Sequence, residues 1–141
     1  MEKLFNEQLA FSNKDVADAK KHTGAKAAVS CAQAAIEERK SLVLRHGIAL
    51  WDVLKSCDIT GAEDSSIKNA VPNDFTQILA DSSITRIFCT GQTAFKIYTK
   101  LCGKKIGITA ECLPSTSPAN QGRWPVEKLV DFYREKIIIK Q

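Results

Sequence analysis

The sequence lacks the features of a secreted or membrane-inserted protein. None of its apolar runs approaches the roughly 20 residues that a membrane-spanning helix needs. The first residues, Met1–Glu7, include acidic side chains and no apolar stretch of the kind found in secretory signals. We therefore expect a cytoplasmic protein that has no membrane partner.

Closely spaced cysteine pairs are also missing. The cysteines form no Cys-x-x-Cys motif and lie far apart, at Cys31, Cys57, Cys89, Cys102 and Cys112. Zinc ribbons and iron–sulfur ligand sets need closely spaced pairs, so this spacing argues against a metal site. We expect reduced thiols, most of them buried.

A strong excess of one charge is absent as well. The 141 residues include 20 basic and 16 acidic side chains, which gives a net charge of +4. This balance permits an acidic partner such as DNA but does not argue for one, because a local basic patch matters more than the total charge. The length fits one small domain that is large enough to bury a core.

The sequence does contain a change of composition near residue 36. Residues 1–35 are rich in alanine and lysine, which favours helix, whereas later residues alternate between helical and strand patterns. We therefore predict a helical N-terminal segment over residues 1–35 and an α/β domain over residues 36–141.

The predicted elements of this domain alternate along the chain. Helices are predicted over three long segments and after one cap, namely Ile36–Arg45 (ending at Gly47), Thr93–Leu101, Val126–Ile137 and the residues after Asn73 or Asp74. Strands are predicted at Ile48–Trp51, Ile84–Cys89 and Ile106–Leu113, and a long loop at Lys55–Val71. Such alternation predicts a mostly parallel sheet flanked by helices.

Ligands of parallel α/β sheets bind outside the carboxyl ends of the strands. Three segments directly follow predicted strands: the residues from Asp52 onward, Thr90–Gly91, and the residues from Pro114 onward. We expect a binding site where these segments meet.

The most informative of these segments is Leu113–Asn120, with the sequence Leu-Pro-Ser-Thr-Ser-Pro-Ala-Asn. Its two prolines stiffen the chain, and neither a helix nor a strand continues through them. Its hydroxyls, its amide and its backbone N–H groups suit close contact with a phosphate. On composition alone, an ordinary solvent-exposed turn is the alternative.

This segment resembles the C-terminal signature of the DNA-deoxyinosine (hypoxanthine-DNA) glycosylases, a family of the uracil-DNA glycosylase superfamily. Further blocks resemble the same family in the same order, and these are Leu44–Leu54, Asp64–Ile67 and Val71–Phe75. The resemblance extends from about Ile36 to about Ile137, and several blocks in the right order make it specific.

The resemblance implies a parallel sheet between helices and a substrate nucleotide flipped out of DNA. Its N-glycosidic bond would be hydrolysed without a metal or other cofactor, and the base would be hypoxanthine or uracil. Ser115 and Ser117 would hold the flanking phosphates. The full set of DNA-binding residues assigned on this basis is Leu113, Pro114, Ser115, Thr116, Ser117, Pro118, Asn120 and Arg123.

Asp52 and Trp51 are the residues assigned to the base. Asp52 lies where the superfamily presents an asparagine to the base edge, and a carboxylate there only accepts hydrogen bonds. It would accept the N1–H of hypoxanthine, which leaves O6 to another donor. The alternatives are a loop-bracing role for Asp52 and, for Trp51, burial in the core, which is the commoner fate of such a tryptophan.

Two expected features of the family have no counterpart in the sequence. Leu113 stands where some superfamily members have a histidine, and no Gly-x-x-Pro-Ser turn, which would orient the attacking water, is present. We therefore assign no catalytic residue. We expect a truncated or divergent relative with a three-stranded sheet, whose exposed strand edges favour self-association.

Three functions follow as alternatives. The chain is a glycosylase for deaminated bases, an inactive relative that only binds DNA, or an unrelated module that binds a nucleotide or phosphate. An oligonucleotide with one deoxyinosine distinguishes them, since alkali-labile cleavage supports the first and binding alone supports the second.

Overall fold

The computed structural model describes residues 25–61 and 63–138, which fall into two compact units. One unit contains residues 25–50 and 134–138, and the other is Trp51–Tyr133. Most of the predicted N-terminal segment therefore lies outside the described residues, and the boundary predicted after residue 35 falls inside a helix. The division into residues 1–35 and 36–141 stays a prediction.

Helix α1, Ala25–Arg45, is the long element of the first unit. It ends where the sequence predicts, because Gly47 adopts a left-handed φ of 63° that a glycine reaches without strain. The Gly47 N–H donates to the Leu44 carbonyl at 3.0 Å, and the Ile48 N–H donates to the Val43 carbonyl at 2.8 Å. These two bonds satisfy carbonyls that the last helical turn leaves open.

The second unit contains two strand pairs. Strands β1, Leu54–Asp58, and β2, Lys68–Pro72, are antiparallel with irregular register. Strands β3, Ile87–Thr90, and β4, Ala110–Leu113, are parallel, with Ile87 opposite Ala110 and Thr90 opposite Leu113. The fold is therefore α/β, as predicted, with one antiparallel and one parallel strand pair among the described residues.

Three details of the predicted sheet are wrong for the described residues. Ile48–Trp51 is irregular rather than a strand, and Leu50 and Trp51 are 68% and 59% exposed. The predicted loop Lys55–Val71 instead contributes to β1 and β2. The parallel sheet consequently has two strands among the described residues and not three, and self-association through its edges stays a prediction.

Short helices connect these strands. Their bounds are Thr76–Ala80 for α2, Gln92–Tyr98 for α3 and Lys104–Ile106 for α4, with a π-helical turn, Thr99–Gly103, between the last two. Helix α5, Val126–Ile137, has the predicted bounds. None of the helices in the described part of the chain is both long and apolar enough to cross a membrane.

The core of the second unit lies between α3 and the parallel strands. Cys89, Tyr98, Cys102 and Ala110 are buried there, with half-buried apolar side chains around them. Burial raises the pKa of the Cys89 thiol to about 11. The Tyr98 hydroxyl donates to the Ile108 carbonyl at 2.8 Å, which ties α3 to the residues that precede β4.

Candidate functional site

A cleft of about 380 Å³ lies within the second unit, at the carboxyl end of β3 and beside the start of β1. It brings together residues from all three segments that the sequence places after predicted strands, represented by Asp52, Thr90–Gly91 and Ser115. Its full lining is Asp52, Val53, Leu54, Asp64, Ile67, Thr90, Gly91, Gln92, Thr93, Ala94, Ile97 and Ser115. The segments meet although the strand predicted before Asp52 does not form.

Asn73 fixes the backbone that carries Asp52. Its side-chain Nδ2 donates to the Asp52 carbonyl at 2.8 Å, and its backbone N–H donates to the Val53 carbonyl at 3.0 Å. Asn73 directly follows β2, so the antiparallel pair anchors the segment at the cleft. The Asp52 side chain is exposed, and it makes no hydrogen bond within the part of the chain that the structure describes.

Gly91 allows the turn between β3 and α3 to approach the Ser115 loop. Its φ of 101° suits glycine, and a side-chain Cβ at this position would lie 3.2 Å from the Cβ of Ser115. The Gly91 N–H donates to the Leu113 carbonyl at 2.8 Å, which continues the pairing of β3 and β4 by one bond. These contacts hold the Thr90–Gly91 turn against the loop that carries Ser115.

Two side chains hold the loop from Pro114 by donating hydrogen bonds to its backbone carbonyls. The Tyr133 hydroxyl donates to the Pro114 carbonyl at 2.7 Å, and Asn120 Nδ2 donates to the Ser115 carbonyl at 2.9 Å. Burial raises the pKa of Tyr133 to about 12, so the phenol keeps its donating proton at neutral pH. The Ser117 N–H donates to Ser115 Oγ at 3.2 Å, which leaves the Ser115 hydroxyl proton available to a ligand.

The lining combines a polar edge with apolar walls. Two carboxylates, Asp52 and Asp64, accept hydrogen bonds, while the hydroxyls of Thr90, Thr93 and Ser115 both donate and accept. Apolar contact comes from Val53, Leu54, Ile67, Ala94 and Ile97. Such a lining suits a flat ring with a polar edge, and the carboxylates are the lining groups able to take a proton from water.

Several residues predicted to bind DNA or the base lie outside this lining. Leu113 is 2% exposed and packs in the interior, so its side chain is not on the surface where a DNA contact was predicted. Thr116, Ser117, Pro118 and Arg123 are exposed and are not part of the cleft lining. The core role considered for Trp51 is wrong because the side chain is 59% exposed.

Trp124 serves as the lead-in to α5. Its ring packs edge-to-face on Phe132 with 5.2 Å between centroids, and Lys128 Nζ lies 5.0 Å from its centroid. The ring is therefore committed to contacts with the helix that follows it.

Sequence reasoning missed three polar residues of the cleft, Asp64, Gln92 and Thr93. Asp64 begins a short 3₁₀ turn, Asp64–Ser66, inside the segment predicted to be a loop, and Gln92 and Thr93 open α3. The signal for the latter pair was present, because they follow Thr90–Gly91 at the carboxyl end of a strand. Asp64 does not follow a predicted strand and lies between the two unpredicted antiparallel strands, so its only signal was the family resemblance of the block Asp64–Ile67.

Comparison with known proteins gives one informative relationship. The chain is 35% identical over 86 residues to a protein of Methanosarcina acetivorans named Hypoxanthine DNA glycosylase. The alignment covers 60% of this chain and 53% of the relative, so the chain spans about half the length of the curated relative it matches. No protein-family model matches the chain. No solved structure matches it either.

Proposed function

We propose that the chain binds DNA, receives a flipped deaminated base in the cleft and hydrolyses the N-glycosidic bond of that base. The observation that carries the proposal is the meeting of Asp52 and Ser115 in one cleft beside the Thr90–Gly91 turn. The name of the Methanosarcina relative supports the same activity and hypoxanthine as the base.

The chemistry of the cleft suits the two tasks that base flipping requires. Removing a base from the stack costs a few kcal/mol, which contacts to phosphates and to the flipped base must offset. Ser115 offers a hydroxyl proton on a loop braced by Asn120 and Tyr133, so little ordering is needed when it donates to a phosphate. Ser117 is assigned to the second flanking phosphate, and Asp52 to the N1–H of hypoxanthine or the N3–H of uracil.

DNA binding without hydrolysis is the second candidate. It is favoured by the cleft lining, which among the described residues includes no histidine, lysine or arginine to orient water or stabilise a leaving base. The sequence also contains no Gly-x-x-Pro-Ser turn.

One assay separates the two candidates. A fluorescent oligonucleotide with a single deoxyinosine is incubated with the protein and then treated with alkali, while binding is followed separately by anisotropy. Strand cleavage at the deoxyinosine supports hydrolysis, provided that a deoxyadenosine strand stays intact. Selective binding without cleavage supports the second candidate, and equal binding to both strands contradicts a base-receiving cleft.

A further inference from the structure

Gln92 gives the cleft a kind of hydrogen-bond donor that its aspartates cannot provide. The other polar lining side chains are carboxylates and hydroxyls, so Gln92 is the one lining residue with side-chain amide N–H groups. The side chain is exposed, and it makes no hydrogen bond to the described residues. Its amide is therefore available to a ligand.

The backbone around Gln92 is fixed although its side chain is free. Gly91, the residue before it, donates its N–H to the Leu113 carbonyl at 2.8 Å and accepts the Phe95 N–H at 3.1 Å. A Cβ on Gly91 would lie 3.2 Å from the Cβ of Ser115, so the turn is also closely packed against the loop from Pro114. These contacts hold the start of α3 against the loop that carries Ser115.

Deaminated bases share a hydrogen-bonding edge that a carboxylate and an amide can recognise together, the first by accepting from the ring N–H and the second by donating to the carbonyl oxygen. Hypoxanthine presents N1–H beside the acceptor O6, and uracil presents N3–H beside a carbonyl. Adenine and cytosine reverse this order, with a ring-nitrogen acceptor beside an amino donor. If Asp52 faced that ring nitrogen, two hydrogen-bond acceptors would lie opposite each other. Neither would have a donor, so the contact would be unfavourable.

We propose that Gln92 Nε2 donates to the carbonyl oxygen of the deaminated base and, together with Asp52, excludes amino bases from the cleft. The role is one of specificity, and it rests on the proposed function of the cleft. It supplies the donor to O6 that Asp52 alone leaves missing.

The test compares the affinities of two single-stranded oligonucleotides that differ only in one deoxyinosine or deoxyadenosine. The wild-type chain is expected to prefer deoxyinosine. Gln92→Leu, which keeps the size of the side chain and removes its donors, is expected to reduce that preference about tenfold by weakening the deoxyinosine complex. Gln77→Leu is the matched control, because Gln77 is an exposed residue of α2 outside the cleft lining.

A second variant guards against a folding defect. Gln92→Glu places an acceptor near the base carbonyl and is expected to lower the preference at least as much, and circular dichroism verifies that each variant is folded. If both Gln92 variants keep the wild-type preference, the inference is overturned while the proposed function stands. If the wild-type chain itself shows no preference, base selection by the cleft fails together with the role of Gln92.

Discussion

At the scale of single residues, Gly91 is a position at which the site tolerates little change. It combines a φ of 101° with a backbone so close to Ser115 that a Cβ on residue 91 would lie 3.2 Å from the Ser115 Cβ. We expect Gly91→Ala to lower the free energy of unfolding by about 2 kcal/mol, because it adds backbone strain and a close contact at once. Urea denaturation measures the change.

Gly122→Ala is the control for that substitution. A Cβ at Gly122 meets no atom within 4 Å, so the free energy of unfolding of this variant should change by less than about 0.5 kcal/mol. Equal midpoints for the two variants would contradict the close packing of the turn against the loop.

Asn73 is the second residue whose role is specific. We expect Asn73→Ala to cost about 1 kcal/mol of stability, because its side chain donates to the Asp52 carbonyl. We also expect weaker binding of a deoxyinosine strand, since Asp52 loses its anchor. Anisotropy titration and urea denaturation measure the two effects.

Asn69→Gly provides the comparison for Asn73. It removes the 2.6 Å hydrogen bond that Asn69 Nδ2 donates to the Asp58 carboxylate in the same antiparallel pair. Glycine adopts the φ of 48° found at this position without strain. Asn69 is not part of the cleft lining, so this variant should lose stability and keep its affinity. A parallel loss of affinity in both variants would show that the effect of Asn73 is not local to Asp52.

At the scale of elements, the loop from Pro114 to Asn120 is the one expected to hold phosphates. We expect Ser115→Ala to weaken DNA binding about five- to tenfold, with part of the loss coming from the bond to the Ser117 N–H. A neutral hydroxyl releases no counterion, so the slope of affinity against salt should stay the same. Binding titrations at several salt concentrations measure both quantities.

Ser83→Ala is the control for the loop, because Ser83 is exposed and does not line the cleft. If Ser115→Ala binds DNA as tightly as Ser83→Ala, the hydroxyl does not contact phosphate.

The elements also show which parts of the fold a sequence can reveal. Helix α5 and the end of α1 at Gly47 were predictable because local signals, an apolar periodicity and a left-handed glycine, determine them. The β1–β2 pair was not, since its strands read Leu-Lys-Ser-Cys-Asp and Lys-Asn-Ala-Val-Pro and lack alternation. Strands of this kind are stabilised mainly by pairing with their partner strand, and the local sequence of either strand does not reveal that partner.

The candidate site was predictable in outline for a different reason. Asp52, Thr90–Gly91 and Ser115 follow strand-like segments, and the carboxyl-end rule places such residues together whichever strands form. Asp64 lies in a block that resembles the glycosylase family, but its place in the cleft depends on the β1–β2 pair, which the sequence did not predict.

At the scale of the whole molecule, stability should fall at alkaline pH. Burial raises the pKa of Cys89 from 9.0 to about 11 and that of Tyr133 from 10.0 to about 12. The folded state therefore holds these protons more tightly than the unfolded state, so their contribution is complete below about pH 9 and is lost as pH rises toward 11 and 12. Urea midpoints between pH 8 and pH 11 measure the decline.

Cys89→Ala removes the first of these groups, so stability should fall less steeply with rising pH in this variant. The variant is also expected to be less stable than the wild-type chain at pH 8. An equally steep decline in this variant would mean that the Cys89 thiol does not contribute to it.

The account depends most on the claim that the cleft receives a deaminated base, and photocrosslinking tests this without requiring catalysis. The protein is bound to an oligonucleotide with 5-iodouracil at one position, and the complex is irradiated. The protein is then digested with a protease, and the crosslinked peptides are identified by mass spectrometry. The account predicts crosslinks within Asp52–Leu54, Asp64–Ile67 or Thr90–Ile97. Crosslinks confined to α5 or to the turn between β1 and β2 at Ile59–Gly61 would contradict it.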